Sequence, residues 1–496
     1  MSNDTRDNTP IMDTAQPLGD MDPAAFRRAG HQLVDWISRY LEDSEQYPVL
    51  SRARPGQCRD ALPQNAPVTG EQWDQIFADI DRLIVPGLTH WNHPGFFAYF
   101  AISGSGPGIL AEFLSAAFNV QGMLWRTSPV VTELEEVVLA WLRRLLGLPE
   151  AFEGVIYDTA SIATLHALAA AREAAAPAIR ERGLSGRSDI APLRVYCSEH
   201  AHSSIDKAVM TLGLGQAGLR RIEGDDQFRM NPQKLAAQIT ADRQAGATPV
   251  AVVATVGTTA VTSVDPVPAI ADICRQERLW LHIDAAYAGP AAIVPGFENT
   301  LLGCDRADSF VVNPHKWLFT PFDLSAFYCR RMDLLRQAFA LTPEYLESSE
   351  SEPVRNLMDT GVQLGRRFRA LKLWMVLRHF GADGIRHRLA EHMRLARLFA
   401  DWVDGCDRFE RLAPVPFSVV CFRATDPNIA KDPAELNDLN ARLLDGVNAT
   451  GDVFLSHTRL GDRFALRLAV GHIRTTERHV ARAWNILQEQ LAALLS

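Results

Sequence analysis

Lys316 has the setting least easily explained by solvation. It follows the apolar run Ser309-Phe310-Val311-Val312, which reads as a buried strand ending at Asn313-Pro314, and His315 and Trp317 flank it. Burial presses a lysine toward its neutral form, and a neutral amine attacks carbonyls to give a Schiff base. Taken alone, the position also fits a lysine whose stem covers apolar surface while its ammonium reaches water. Other strand ends separate the two readings. Asp284 closes Leu279–Ile283 and precedes Ala285-Ala286-Tyr287, where a carboxylate needs a cation or several donors. It either caps the next segment or holds a pyridine nitrogen protonated, with small alanines leaving room for a flat ring. Thr159-Ala160-Ser161 opens a helix directly after Val155-Ile156-Tyr157, which makes an N-cap or an anion site, with Asp158 expected to point away. His202 lies past Leu193–Cys197 and suits stacking on a ring; as a metal ligand with His200 it lacks a third partner. A carbonyl-reactive lysine, a pyridine-binding aspartate, a phosphate-type helix start and a stacking imidazole together point to pyridoxal phosphate, and no metal site is expected.

Positioning such residues requires strand ends gathered along one edge. Strand-like runs at Val155–Tyr157, Leu193–Cys197, Val250–Thr255, Leu279–Ile283 and Phe310–Val312 alternate with helical patterns, including Gly108–Phe118, Thr132–Leu146 and Val267–Arg275. That rhythm predicts an α/β fold with a mostly parallel sheet covered on both faces, whose ligands sit beyond the carboxyl ends of the strands. Ahead of it, Asp22-Pro23 starts a helix running to about Leu41, and a second amphipathic helix is expected from near Thr69, with Thr69 and Gln72 at capping-box spacing. Neither can bury its apolar stripe alone. After the lysine come a polar, acidic loop at Leu341–Gly361, a helix over Leu364–Leu377, and a small α/β unit with strands at Phe417–Phe422 and Phe464–Val470 and a closing helix from about Glu477. The expected organisation is a disordered leader (1–20), an N-terminal helical segment (21–105), a large domain (106–375) and a small C-terminal domain (376–496).

Composition excludes several classes of function. The chain has 496 residues, 47% of them apolar and 22% charged, and a net charge of -9 that argues against a nucleic-acid partner. Seven scattered cysteines without a Cys-x-x-Cys pair suggest free thiols in a reducing compartment. No apolar run suits a signal peptide or a membrane span, so a cytoplasmic protein is expected. His90 and His93, in the aromatic stretch Thr89–Ala101, have no acidic or thiol partner and are read as part of a pocket wall or core. Gly213-Leu214-Gly215-Gln216-Ala217-Gly218 matches a dinucleotide fingerprint, but a helical segment precedes it and a strand follows, so it is read as a helix stop and turn.

Longer stretches carry a family likeness: THW and FFAYF within residues 89–100, WRTSP and TELE within 125–135, AHSS (201–204), ATVGTT (254–259), WLHIDAAYAG (280–289), ADSFVVNPHKWL (307–318) and LGRRFRALK (364–372). In these the sequence resembles the pyridoxal-phosphate-dependent group II decarboxylases, most of all those acting on aromatic L-amino acids. The resemblance implies a homodimer of fold type I (aspartate aminotransferase-like), with a seven-stranded-type sheet in the large domain. It assigns Lys316 to the Schiff base, Asp284 to the pyridine nitrogen, and His202 and Ala286 to the two ring faces. Thr159, Ala160, Ser161, Asn313 and His315 fall around the phosphate, and Thr259 near the ring hydroxyl. Substrate contacts are expected from Trp91, Tyr99, Phe100, Met123 and Arg126.

Tyr345, in the acidic loop, matches the tyrosine that protonates Cα, so Lys316, His202, Asp284 and Tyr345 form the expected catalytic set. Relatives with Phe in place of Tyr345, or Asn in place of His202, divert to an oxygen-dependent aldehyde synthesis; this chain predicts plain decarboxylation to amine and CO₂. Arg126 stands where aromatic-specific members tend to have a small residue, which leaves a decarboxylase for aspartate or glutamate as the alternative.

Overall fold

The computed structural model describes residues 19–176, 178–341, 354–425 and 432–496. They divide into two units. The smaller takes the described residues up to Gln46 together with Arg52–Leu88, and the larger takes Tyr47–Ser51 and Thr89–Ser496.

In the smaller unit a helix spans Pro23–Glu42, its first amides capped by the Asp22 carboxylate as expected. The second helix starts later than the Thr69 spacing suggests. Gln72 and Gln75 form the capping box, the α-helix covers Trp73–Asp79, and Ile80–Ile84 widens into a π turn. The helices clasp each other through Trp36 Nε1–H to Asp81 at 2.8 Å and Trp73 Nε1–H to Gln32 at 3.0 Å. Phe26, Val34, Ile76 and Ile84 stay exposed while Phe77 is buried, so the apolar stripes are only partly covered.

The larger unit is built on a seven-stranded sheet: β1 (Glu153–Tyr157), β2 (Leu193–Ser198), β3 (Leu219–Ile222), β4 (Thr248–Thr255), β5 (Trp280–Asp284), β6 (Ser309–Val312) and β7 (Ser325–Cys329). Their spatial order is β1-β7-β6-β5-β4-β2-β3, and β7 alone runs against the rest. This is the α/β, fold-type-I arrangement expected. Along β4, Ala251 and Val253 pack into one core while Val252 and Ala254 pack into another, so period-2 alternation buries both faces and the strand reads as continuously apolar. One of these cores is formed with the alanine-rich helix Ala160–Ala175, whose small side chains let it lie close to the strands.

β7 was not anticipated. Its Ser-Ala-Phe-Tyr-Cys text lies close behind the lysine without a crossover helix, and the short connection forces an antiparallel return. The helix expected over Leu364–Leu377 begins only at Ala370 and runs to Asp404, with a break at Gly381 (φ 64°). Before it, Arg366 is drawn out of helical geometry: its N–H donates to Gln121 at 2.6 Å, and its guanidinium pairs with buried Glu135 at 2.7 Å. The glycine-rich hexapeptide is a helix stop, with Gly213 and Gly215 at positive φ ahead of β3.

A second, antiparallel sheet in the same unit contains β8 (Phe409–Arg411), β9 (Val419–Ala424), β10 (Ser456–Leu460) and β11 (Arg463–Ala469), in the order β10-β11-β9-β8. The aromatic stretch Thr89–Ala101 threads beside it. Phe97 N–H donates to Phe454, Ala469 N–H donates to Phe97, and the Phe97 ring joins the core of this sheet.

Candidate active site

The carboxyl ends of β1, β2, β4, β5 and β6 deliver their following residues to one cavity of about 180 Å³. Lys316 lies on the short helical turn Pro314–Trp317 directly after β6, where burial lowers its pKa and the Asp284 charge opposes that shift. Among the described residues no hydrogen bond is made to its Nζ, which lies 5.2 Å from the centroid of the Phe100 ring. Asp284, buried at the end of β5, takes the Ala286 N–H on Oδ1 at 3.1 Å. The sequence places both groups at the ends of adjacent parallel strands, which is why they face each other.

His202 accepts the Ser204 N–H on Nδ1 at 3.1 Å, so its Nε2 carries the proton. Burial lowers its pKa, and Asp284 opposes that shift. Thr159, Ala160 and Ser161 line the cavity at the first turn of the helix Ala160–Ala175, whose leading amides have no side-chain cap. Asp158 is turned aside as expected: it holds the Thr159 N–H at 2.5 Å and the Gln363 amide at 3.1 Å. Asn313 accepts from Ser325 at 2.6 Å through Oδ1, leaving its amide N–H groups for the cavity. His315 accepts the Leu324 N–H on Nδ1 at 3.0 Å, and burial pushes its pKa down to about 3. It therefore offers Nε2–H as a neutral donor. Ala286 and Thr259 also line the cavity.

These residues fit pyridoxal phosphate. An uncapped helix start with two hydroxyls and neutral N–H donors suits a phosphate, a buried carboxylate suits a pyridine nitrogen, and an unbonded amine suits the aldehyde carbon. Gly257, at φ +91°, also lines the cavity, and an added Cβ there would lie 2.5 Å from that of Ala288.

Of the expected substrate contacts, Phe100 lines the cavity; Trp91, Tyr99, Met123 and Arg126 do not. Trp91 packs tilted against Phe96 and stacks on Tyr99, Tyr99 is 54% exposed, Met123 packs with Leu124 and Met358, and Arg126 is exposed. Tyr345 lies outside the described residues. The aromatic wall is instead a stack: Tyr287 packs on Phe100 at 3.8 Å between centroids and on Trp317 at 4.9 Å.

Sequence reasoning missed Thr255, Gly257, Tyr287 and Arg467. Arg467, in β11, is buried with its guanidinium carbon 4.6 Å from the centroid of the same Phe100 ring. It donates to the carbonyls of Ala260 and Tyr99, and its Nη2 has no partner among the described residues. A single arginine within the apolar run Phe464–Ala469 was the available signal, because an interior strand position holds a charge only for a purpose.

Comparison with known proteins agrees with this geometry. The family profile described as "Pyridoxal-dependent decarboxylase conserved domain" matches residues 55–425. The chain is 40% identical over 491 residues to tyrosine decarboxylase 4 of Petroselinum crispum, covering 97% of this chain and 96% of that one. It is similar to the crystal structure of Oryza sativa TDC with PLP and tryptamine, with a TM-score of 0.92, 37% identity and coverage of 97% and 100%. It is also similar to that of Rhodiola rosea 4-hydroxyphenylacetaldehyde synthase, with a TM-score of 0.89, 34% identity and coverage of 96% and 100%.

Proposed function

The chain belongs to the pyridoxal-dependent decarboxylase family and is a pyridoxal-phosphate-dependent amino-acid decarboxylase, and on that premise we propose that its substrate is an aromatic L-amino acid, released as the amine and CO₂. The observation that carries the site assignment is the half-buried, unbonded Lys316 facing buried Asp284 beside an uncapped helix start. The aromatic assignment is supported by the tyrosine-decarboxylase relative, by the tryptamine in the rice structure, and by the Phe100–Tyr287 wall.

When bound, pyridoxal phosphate supplies an electron sink for the pair released as the Cα–carboxylate bond breaks. In this proposal Lys316 would carry the covalent link, and its lowered pKa favours the neutral amine that linking requires. Asp284 would pair with the pyridine nitrogen, a preorganised carboxylate that needs no reorganisation during reaction. His202 and Ala286 would flank the cofactor ring and Thr259 would lie near its hydroxyl. Thr159, Ala160, Ser161, Asn313 and His315 would hold the phosphate. The unpartnered Nη2 of Arg467 is suited to a carboxylate. Tyr345 delivers the proton to Cα.

The chain acts as a homodimer in the same proposal. Leu110, Phe113, Leu114 and Phe118 form an exposed apolar face on the helix Gly106–Phe118, and Val120, Val130 and Val137 are exposed as well. Trp91, Tyr99, Met123 and Arg126, absent from their own chain's cavity, would complete the partner's. The proposed segments remain 21–105, 106–375 and 376–496. A cytoplasmic location accords with seven free cysteines, and among the described residues no helix is long and apolar enough to cross a membrane.

Product analysis tests the reading. Purified, cofactor-loaded protein is expected to release CO₂ and amine from tyrosine, dopa, tryptophan or phenylalanine without oxygen uptake. Turnover of aspartate or glutamate alone would overturn the aromatic assignment. The similarity to an aldehyde synthase favours a second reading, in which oxygen is consumed and aldehyde replaces amine. Tyr345→Phe is expected to lose amine output and gain oxygen consumption; unchanged amine production would remove Tyr345 from the protonation step.

A further inference from the structure

Thr255, the last residue of β4, carries a hydroxyl that the protein leaves unused. The residue is 4% exposed and lines the lysine cavity, and its Oγ1 has no hydrogen-bond partner among the described residues. Of the buried side-chain polar atoms in that condition, it is the one whose residue lines this cavity. The backbone of Thr255 is already satisfied: its N–H donates to Asp265 Oδ2 at 2.8 Å, and its carbonyl accepts the Asp265 N–H at 2.9 Å. The hydroxyl is therefore not needed to finish the strand.

Its placement shows what it could serve. The β4–β5 register pairs Thr255 with Asp284, and paired residues of parallel neighbours project from the same face. Asp284 uses Oδ1 for the Ala286 N–H, and among the described residues no donor reaches its Oδ2. A donor to a carboxylate favours the ionised form, which is the form that keeps a proton on a bound pyridine nitrogen.

We propose that Thr255 is a positioning residue for the cofactor ring, its hydroxyl donating to the Asp284 carboxylate once the pyridine is bound and holding that carboxylate ionised and in line. The inference rests on the proposed role of Asp284. It also explains a cost: a buried hydroxyl without a partner destabilises the cofactor-free protein, and binding relieves it.

The experiment measures pyridoxal phosphate affinity by titrating the apoprotein, together with the thermal stability of apo and loaded forms, for Thr255→Val, Thr255→Ser, Asp284→Asn and Thr255→Val/Asp284→Asn. Valine matches threonine in shape and lacks the donor. The apo form of Thr255→Val is expected to be at least as stable as the parent while binding the cofactor about tenfold more weakly, equal to about 1.4 kcal/mol. Serine should restore affinity to within about threefold, and valine should add less than about twofold to Asp284→Asn, because residues acting as a unit are not additive. The absorbance of the bound cofactor should become more sensitive to pH in the valine variant. If Thr255→Val binds like the parent while Asp284→Asn is weakened, the inference falls and the role of Asp284 stands. If Asp284→Asn also binds unchanged, the reading of Asp284 falls with it. Equal loss of stability in apo and loaded Thr255→Val would make the hydroxyl structural and overturn the proposal.

Discussion

Two lysines of the larger unit are shielded from water, Lys372 buried and Lys316 half-buried, and only one is built for carbonyl chemistry. Burial lowers the pKa of both Lys316 and Lys372. Lys372 is nonetheless occupied: its Nζ donates to the carbonyls of Pro321 at 3.1 Å and Asp323 at 2.8 Å, and it pairs with Glu112 at 2.5 Å. Lys316 meets a cavity, an aromatic face and one carboxylate, with no hydrogen bond to its Nζ among the described residues. A buried ammonium whose protons are all placed stays an ammonium and ties segments together. One whose protons are not placed is free to lose one. Reactivity here follows from unmet hydrogen bonding rather than from burial alone.

The strongest way to break this contrast is to remove the two amines in turn. Lys316→Ala is expected to lower kcat/KM by at least about 10³-fold and to abolish borohydride trapping of pyridoxal phosphate on the chain. Lys372→Met should retain the trapping. The sequence has five lysines (Lys207, Lys234, Lys316, Lys372 and Lys431), so mapping the trapped peptide distinguishes them directly. A label on Lys372 would reverse the comparison. Next in size, Asp284→Asn removes the charge opposite Lys316, and kcat should fall by about 10²-fold or more. A normal rate with the amide would mean that the pyridine proton is held elsewhere.

Lys372→Met probes the other side of the contrast. It leaves Glu112 and two carbonyls without their cation, and breaking such a buried pair costs on the order of 3 kcal/mol. Denaturant titration of the apoprotein should show that loss, while cofactor affinity changes little. An unchanged denaturation midpoint would show that water replaces the ammonium easily.

How much of this was legible beforehand differs between the two lysines. Lys316 could be read because a strand, a proline and the residue following them are neighbours in sequence, and Asp284, Ser161 and His202 obey the same strand-end rule. That rule also predicted the parallel sheet. Lys372 was unremarkable in sequence, since its partners at 112, 321 and 323 are brought to it by tertiary packing. Arg467 and Thr255 were missed for a related reason: one sits within a strand of the second sheet and the other looks like an ordinary β-former, and only the folded register shows either facing the site. Antiparallel β7 escaped because topology, not local composition, sets strand direction. Trp91, Tyr99, Met123 and Arg126 were chosen by family likeness, and one chain does not bring them to its own cavity.

The smallest effect concerns His315, the immediate neighbour of Lys316. Burial is the main cause that pushes its pKa down from 6.5 to about 3, so it stays neutral in the folded protein at pH values where the unfolded chain takes up a proton. The unfolded state then binds more protons, and stability must fall as pH drops from about 6.5 toward 3. Buried His166 (about 3), His282 and His392 (both about 4) act in the same direction, and Asp265, raised by burial to about 6, opposes them between its ordinary 3.8 and 6. His315→Gln keeps an acceptor for the Leu324 N–H and removes one titrating group. Between pH 6.5 and 5 it should reduce the acid loss of apoprotein stability by about 1.6 kcal/mol, because the unfolded imidazole goes from half to almost fully protonated across that window. Lys316 contributes with the same sign, but its window lies higher, below its ordinary 10.5, so the two separate cleanly along the pH axis. An acid profile unaltered by His315→Gln would mean that this imidazole is protonated in the folded state, and the cavity would then hold a second cation beside the lysine.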